Sequence, residues 1–300
     1  MSALCLLGFF LTYLLFVRTR RGQIFDIAAT VGPYYESVTF YEIERFPYVW
    51  SSRLGHLAGS RWLLVVIAAL VVLGIRRGRS RLSVWLLVGG GVGMLLARLL
   101  KAHLPLRSLR AGTGVTWLAY NSLPSGHTTA TMSIAVAGIL LARYRSDVFA
   151  VAGVLVASGV GLAVVVARWH NPSDVVAAYF MVGSLLFAAV AITCGVTQKV
   201  RMTIFTRRLV LASTSVAVGA MGLTAIVVAR IDPSRFAVAM DDGRPLYQRI
   251  PVNSKTIAFT WMFLVIAVCQ LIVVAFFIVS RDSHTQNRRD TPGLPLPLRP

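Results

Sequence analysis

Apolar residues fill this chain in long unbroken stretches, separated by short polar connections that are mostly basic. Eight stretches stand out: Met1 to Val17, Leu57 to Ile75, Leu82 to Leu100, His127 to Ala142, Val148 to Ala167, Asp174 to Thr197, Leu209 to Ala229 and Thr256 to Ser280. A hydrocarbon layer of about 30 Å needs roughly 20 helical residues to cross it, and these runs have that scale. Strands of a membrane barrel would alternate apolar and polar positions over about ten residues. Here the runs are continuous, so the pattern predicts helices. The expected fold is an all-α, polytopic integral membrane bundle of about eight transmembrane helices.

The connections orient the bundle. Arg76, Arg77, Arg79 and Arg81 lie between the second and third runs, Arg143 and Arg145 between the fourth and fifth, and Lys199, Arg201, Arg207 and Arg208 between the sixth and seventh. In an eight-span arrangement these three connections share one side, which the positive-inside rule makes cytoplasmic. The loops Arg18 to His56, Lys101 to Gly126, Arg168 to Asp174 and Arg230 to Lys255 then face outward. Arg18, Arg20 and Arg21 run against the rule, because they follow the first span on the outer side. That first run lacks the basic start and small-residue cleavage site of a signal peptide, so it reads as a retained helix.

Composition sharpens the picture. Of 300 residues, 56% are hydrophobic and 14% charged, which excludes a soluble globular chain and disorder over most of the length. A net charge of +19 would suggest nucleic acid in a soluble protein. Here the basic residues punctuate apolar runs, so no nucleic-acid partner is expected and the charge is a topology signal. Cys5, Cys194 and Cys269 all lie within apolar runs, which argues against a disulfide framework. Gly89, Gly90, Gly91 and Gly93 in the third run fit close helix packing better than a phosphate-cradling loop. The proline-rich end reads as an unstructured cytoplasmic tail.

Candidate chemistry gathers at the ends of the third to sixth runs. Pro124-Ser125-Gly126-His127 opens the fourth: a turn-forming proline, a serine able to cap, a glycine that lets backbone approach a ligand, and a histidine. His170-Asn171-Pro172-Ser173-Asp174 opens the sixth, where four-residue spacing brings His170 and Asp174 together on a helical turn. A carboxylate accepting from one imidazole nitrogen fixes the tautomer and leaves the other nitrogen free to attack an electrophile. Alternatively, Asp174 serves the macrodipole at a helix start. Lys101, His103, Arg107 and Arg110 lie on the same face, where cations and helix N-termini favour a phosphate, although basic residues at a span end also anchor headgroups. His103 reads as a solvated boundary histidine. His56 and His284 have no partner identifiable from sequence.

Together these residues resemble the type-2 phosphatidic acid phosphatase, or lipid phosphate phosphatase, superfamily over about Leu99 to Ala178. That family carries a Lys followed after six residues by Arg-Pro, then Pro-Ser-Gly-His, then Ser-Arg followed after five residues by His and after three more by Asp. The second signature is complete at Pro124 to His127, and His170 and Asp174 match the third. In the first, only five residues separate Lys101 from Arg107, and Ser108 stands where proline is expected. Ala163 and Val164 occupy the Ser-Arg positions of the third. Arg168, one helical turn beyond Val164, offers a replacement guanidinium; equally, with Trp169 it makes an interfacial pair.

The resemblance implies hydrolysis of a lipid phosphomonoester or polyprenyl diphosphate through a phosphohistidine, with no metal or other cofactor. It casts His170 as nucleophile, Asp174 as its orienting partner, His127 as acid and then base, and Lys101, Arg107, Ser125 and Gly126, with Arg168, as phosphate ligands. It also implies a six-helix core within residues 1–200, followed by two added spans in 201–280 and a disordered tail in 281–300. The site would face the extracytoplasmic side of the cell membrane, among membrane lipids; the sequence does not give the oligomeric state. Two alternatives stand beside this one: a phosphotransferase of the same superfamily using a lipid or sugar hydroxyl, and a non-catalytic protein that binds lipid headgroups.

Overall fold

The computed structural model describes residues 1–31, 53, 56, 61–104, 122–142, 146–194, 204–233 and 254–289. Among the described residues there is no strand, and all eight apolar runs lie on helices. We label these α1 (Ser2–Thr12, continued by a π-helical segment Tyr13–Arg18), α2 (Arg20–Val31), α3 (Arg61–Arg76), α4 (Ser80–His103), α5 (Gly126–Leu141), α6 (Ser146–Val166), α7 (Pro172–Cys194), α8 (Ile204–Ala229) and α9 (Ser254–Arg289).

Five of them, α4 and α6 to α9, are long and apolar enough to cross a membrane. Their apolar surface is not all hidden: Leu87, Val151, Leu155, Val218 and Phe259 are exposed, as side chains facing lipid would be. The protein is thus a multi-pass membrane bundle. Two of the expected spans are short. The apolar part of α3 covers Val65–Arg76. The 16 residues of α5, at about 1.5 Å each, make roughly 24 Å against a hydrocarbon layer of about 30 Å.

The first run departs most from expectation. It ends at Arg18, and α2 leaves it at an angle of 87°. The stretch after Arg18, read from sequence as an outer loop, therefore begins with a helix whose residues Gly22 to Thr30 are buried. Gly22 permits the elbow, since a Cβ there would stand 2.0 Å from the Leu15 carbonyl oxygen. α1 runs antiparallel to α7. Ser2 Oγ donates to the Ser184 carbonyl at 2.9 Å, and Gly8 lets the Phe180 ring approach to where its own side chain would be.

α9 is threaded into the centre. Trp261, Val265, Val268 and Phe276 belong to the same buried apolar cluster as Met132, Val164 and Tyr179, and the Phe187 and Phe276 rings stack at 3.9 Å. The last span is therefore packed as part of one core rather than as an appendage. Its helix continues to Arg289, into the stretch expected to be an unstructured tail.

The glycine stripe of α4 divides in function. Gly89 and Gly93 lie against Leu186 and Thr129 with no room for a side chain or little of it, whereas Gly91 faces open space. At the far end of α5, Arg77 and Arg79 each donate through Nη1 at 2.6 Å, to the Leu141 and Leu140 carbonyls. These arginines neutralise the negative end of α5 as well as marking one side of the bundle. His127, at the other end of α5, is separated from them by the length of the helix.

Candidate active site

The end of the bundle opposite Arg77 and Arg79 is built from two helix starts. Ser125 caps α5: it is fully buried, its Oγ accepts from the Thr128 amide at 3.4 Å and from the Thr128 hydroxyl at 3.0 Å, and its carbonyl accepts from the Thr129 amide. The Ser125 hydroxyl, expected among the phosphate ligands, is engaged here as an acceptor in the cap of α5. The cap leaves the amides of Gly126 and His127 at the positive end of the helix. Lys101 Nζ lies 4.0 Å from where a Gly126 side chain would begin. The first and second motifs thus meet.

α7 begins with a side-chain cap supplied by Asp174. Asn171 precedes Pro172, whose fixed φ suits a first helical position, and the Asn171 amide donates to Asp174 Oδ2 at 2.8 Å. Ser122 Oγ reaches the same oxygen at 2.5 Å, and the Ser125 amide donates to the Asp174 carbonyl at 3.0 Å. That last bond ties the turn before α5 to the start of α7.

The result is a pair of facing imidazoles. The rings of His127 and His170 lie 6.1 Å apart at 65°, and His170 Nδ1 is 3.6 Å from Asp174 Oδ2. That is ion-pair range but longer than a hydrogen bond, and such contacts often close only when substrate is bound. His170 lies in the connection between α6 and α7. Burial pushes its imidazole below the ordinary value, and Asp174 pulls partly the other way. The neutral form is therefore favoured, with Nε2 turned away from the carboxylate.

Arg168 closes α6. The Arg168 amide donates to the Val165 carbonyl and the Trp169 amide to the Val164 carbonyl, a Schellman turn whose left-handed position is Arg168 itself, at φ +61°. Glycine is the usual occupant. Trp169 next to it lies between two imidazoles, 5.4 Å from His127 and 4.8 Å from His56. His56, without a partner in the sequence, thus reaches the site. Arg107 and Arg110 lie outside the described residues.

The support beneath α7 comes from α2 and is not evident in the sequence. Asp26 of α2 is completely buried and accepts from Ser173 Oγ at 2.5 Å and from the Ser173 amide at 3.3 Å. Thr30 Oγ1 donates to Asn171 Oδ1 at 3.0 Å. The available signal was an acid set among Ile24, Phe25, Ile27 and Ala28.

Residues 81–199 match the PAP2 superfamily model. The PAP2 region takes in α4 to α7 and hence Lys101, His127, His170 and Asp174; α1 to α3 and the described α8 and α9 lie outside it. No curated protein and no solved structure matches the chain. The PAP2 superfamily is generally one of phosphatases, and a membrane phosphatase-type protein is what this region and the apolar helices support.

Proposed function

We propose that this protein is an integral membrane lipid phosphatase, hydrolysing a phosphomonoester or diphosphate of a lipid or polyprenyl substrate through a phosphohistidine at the extracytoplasmic face of the cell membrane. The observation that carries the reading is the pair of facing histidines, one backed by Asp174 and the other on a helix start beside Lys101. Two imidazoles this close suit displacement at phosphorus, with one attacking and the other serving the leaving oxygen.

In this mechanism His170 Nε2 donates its electron pair to phosphorus as the bond to the leaving oxygen breaks. His127 gives that oxygen a proton. Asp174 stabilises the imidazolium character that develops on His170. Water then attacks phosphorus, loses its proton to His127, and the P–N bond breaks to release inorganic phosphate. Lys101 and the amides of Gly126 and His127 neutralise the non-bridging oxygens. Arg168 and Arg107 supply the guanidinium charge, and Ser125 shapes the turn that frees the amides.

Charge supports the choice of face. The histidines lie at the end opposite the arginine connection that marks the cytoplasmic side. A site at a span end takes a headgroup from water while the surrounding apolar helices accept its tail.

The test is phosphate release from phosphatidate and from a polyprenyl diphosphate by reconstituted protein, with acid-labile, base-stable phosphate sought on quenched enzyme. His170→Ala should abolish turnover and the labelled intermediate; His127→Ala should slow turnover by about 10² to 10⁴. Equal rates for wild type and His170→Ala would eliminate the nucleophile. Phosphate appearing on an added alcohol instead of free in solution would identify a transferase.

A further inference from the structure

Arg18, Arg20 and Arg21 contradict the charge bias that orients the rest of the chain. They stand at the elbow between α1 and α2, at the same end of the bundle as the histidines, because α1 is antiparallel to α7 and α2 docks on the start of α7. All three are exposed, and among the described residues none makes an ion pair with a carboxylate. Three arginines on this side need a reason other than topology.

A cavity opens beside them. It measures about 370 Å³ and is lined by Leu15, Arg21, Phe180, Met221, Ala225 and Val268 among others, so its walls come from α1, α2, α7, α8 and α9. The lining is almost entirely apolar apart from Arg21 and three threonines. An apolar cavity of roughly 150 Å³ is enough for a benzene-sized guest, so this one admits a good length of alkyl chain. Met221 and Ala225 are exposed on the bundle surface, which makes the cavity accessible sideways from the bilayer. Leu15 and Phe16 come from the π-helical segment, a local widening that recurs at functional sites. Lys101, His127, His170 and Asp174 are not among the residues that line it, so the cavity is distinct from the candidate active site.

We propose that this cavity is a binding site for an anionic phospholipid, one chain lying between α1 and α8 and the phosphate held by Arg21 with Arg18 and Arg20 beside it. The charge of the elbow and the apolar interior match the two halves of such a lipid. Neither half suits a soluble ligand. Val176 and Phe180 in the cavity wall lie within two turns of Asp174 on α7, so occupancy also braces the helix that carries the carboxylate.

The experiment is native mass spectrometry of full-length protein released from mixed micelles holding equal phosphatidylglycerol and phosphatidylcholine with matched chains. Phosphatidylglycerol is a phosphodiester that the proposed hydrolysis does not consume, and the His170→Ala protein is measured in parallel. Wild type and His170→Ala should both retain phosphatidylglycerol over phosphatidylcholine. Arg21→Gln should lose that preference by about fivefold, the scale of one basic residue near an anionic lipid. Ala225→Trp, which fills the cavity, should lose both lipids. Glycerol 3-phosphate alone should not be retained. Equal retention of the two lipids by wild type, or unchanged phosphatidylglycerol on Arg21→Gln, overturns the proposal, and the Arg21 variant decides the matter even if Ala225→Trp does not fold. Loss of phosphatase activity in His170→Ala with lipid retention intact separates this site from the catalytic one.

Discussion

Arg168 holds a left-handed conformation that costs an ordinary L-residue about 1 to 2 kcal/mol, two positions before the proposed nucleophile. Glycine would close α6 at no such cost, so the side chain and the backbone can be tested apart. Arg168→Gly should leave thermal unfolding unchanged or raise stability by up to about 1 kcal/mol, while KM for a lipid phosphate rises about tenfold through loss of the guanidinium. Arg168→Ala should show the same KM with no gain in stability. Unfolding in detergent and steady-state kinetics read both; an unaltered KM in the glycine variant would make Arg168 an interfacial arginine and nothing more. His170 gives a second prediction. Burial lowers its pKa and Asp174 opposes that only in part, so the neutral, attacking form persists below the ordinary value of about 6.5. The acidic limb of kcat/KM should therefore lie below that pH, with activity lost as His170 takes up its proton. At this scale the sequence was informative where spacing is local: His170 and Asp174 are four positions apart and come within 3.6 Å of each other. It was silent on Ser122, whose bond to Asp174 crosses 52 positions, and on His56, which reaches Trp169 from another connection.

The helices that carry these side chains are fixed by their first turns. α7 has two carboxylates on its opening amides, Asp174 from within and Asp26 from α2. Removing Asp26 strands the Ser173 amide and hydroxyl in a buried place. A hydrogen bond to a charged group contributes about 1.5 to 3 kcal/mol. Asp26→Ala should therefore destabilise the protein by about 2 to 3 kcal/mol and lower kcat more than KM, because it loosens the loop that aims His170 without touching the phosphate ligands. Ser125→Ala provides a comparison, at about 1 kcal/mol for a lost N-cap. Differential unfolding of the two variants checks the order, and a milder effect for Asp26→Ala would show that α2 docks by apolar contact alone. The long apolar runs announced their helices because composition alone decides them. α2 was not legible, for a physical reason: Arg20, Arg21, Gln23, Asp26 and Thr30 make it too polar to read as buried, and the partners that Asp26 and Thr30 find at the start of α7 are distant in sequence. The glycines of α4 show the same limit, since Gly89 and Gly91 are identical in sequence yet one meets Leu186 and the other open space.

Across the whole molecule, the Arg77–Arg79 connection and the candidate chemistry lie at opposite ends. Arg77 and Arg79 sit on the carbonyls that finish α5, and His127 stands at its beginning. This single helix therefore spans the distance between the basic, orienting end and the candidate site. Expected from sequence on the strength of alternating loops, the separation acquires a second cause in the helix dipole: cations favour the C-terminal end and anions the N-terminal end. A phosphate site and a positive-inside loop consequently suit opposite ends of the same α5. The arrangement predicts opposite accessibility for Ser80 and Ala102, which begin and nearly end α4 and are both exposed. With Cys5, Cys194 and Cys269 replaced by Ala, Ser80→Cys and Ala102→Cys should label from different sides when a membrane-impermeant thiol reagent is added to intact cells. Ala102→Cys should react from outside, and Ser80→Cys only after permeabilisation. Adding phosphatidate should slow labelling at Ala102→Cys, beside Lys101, and leave Ser80→Cys unaffected. Labelling of both from outside would refute the end-to-end separation, whereas the reverse pattern would keep the site intact and move the chemistry to the cytoplasmic face.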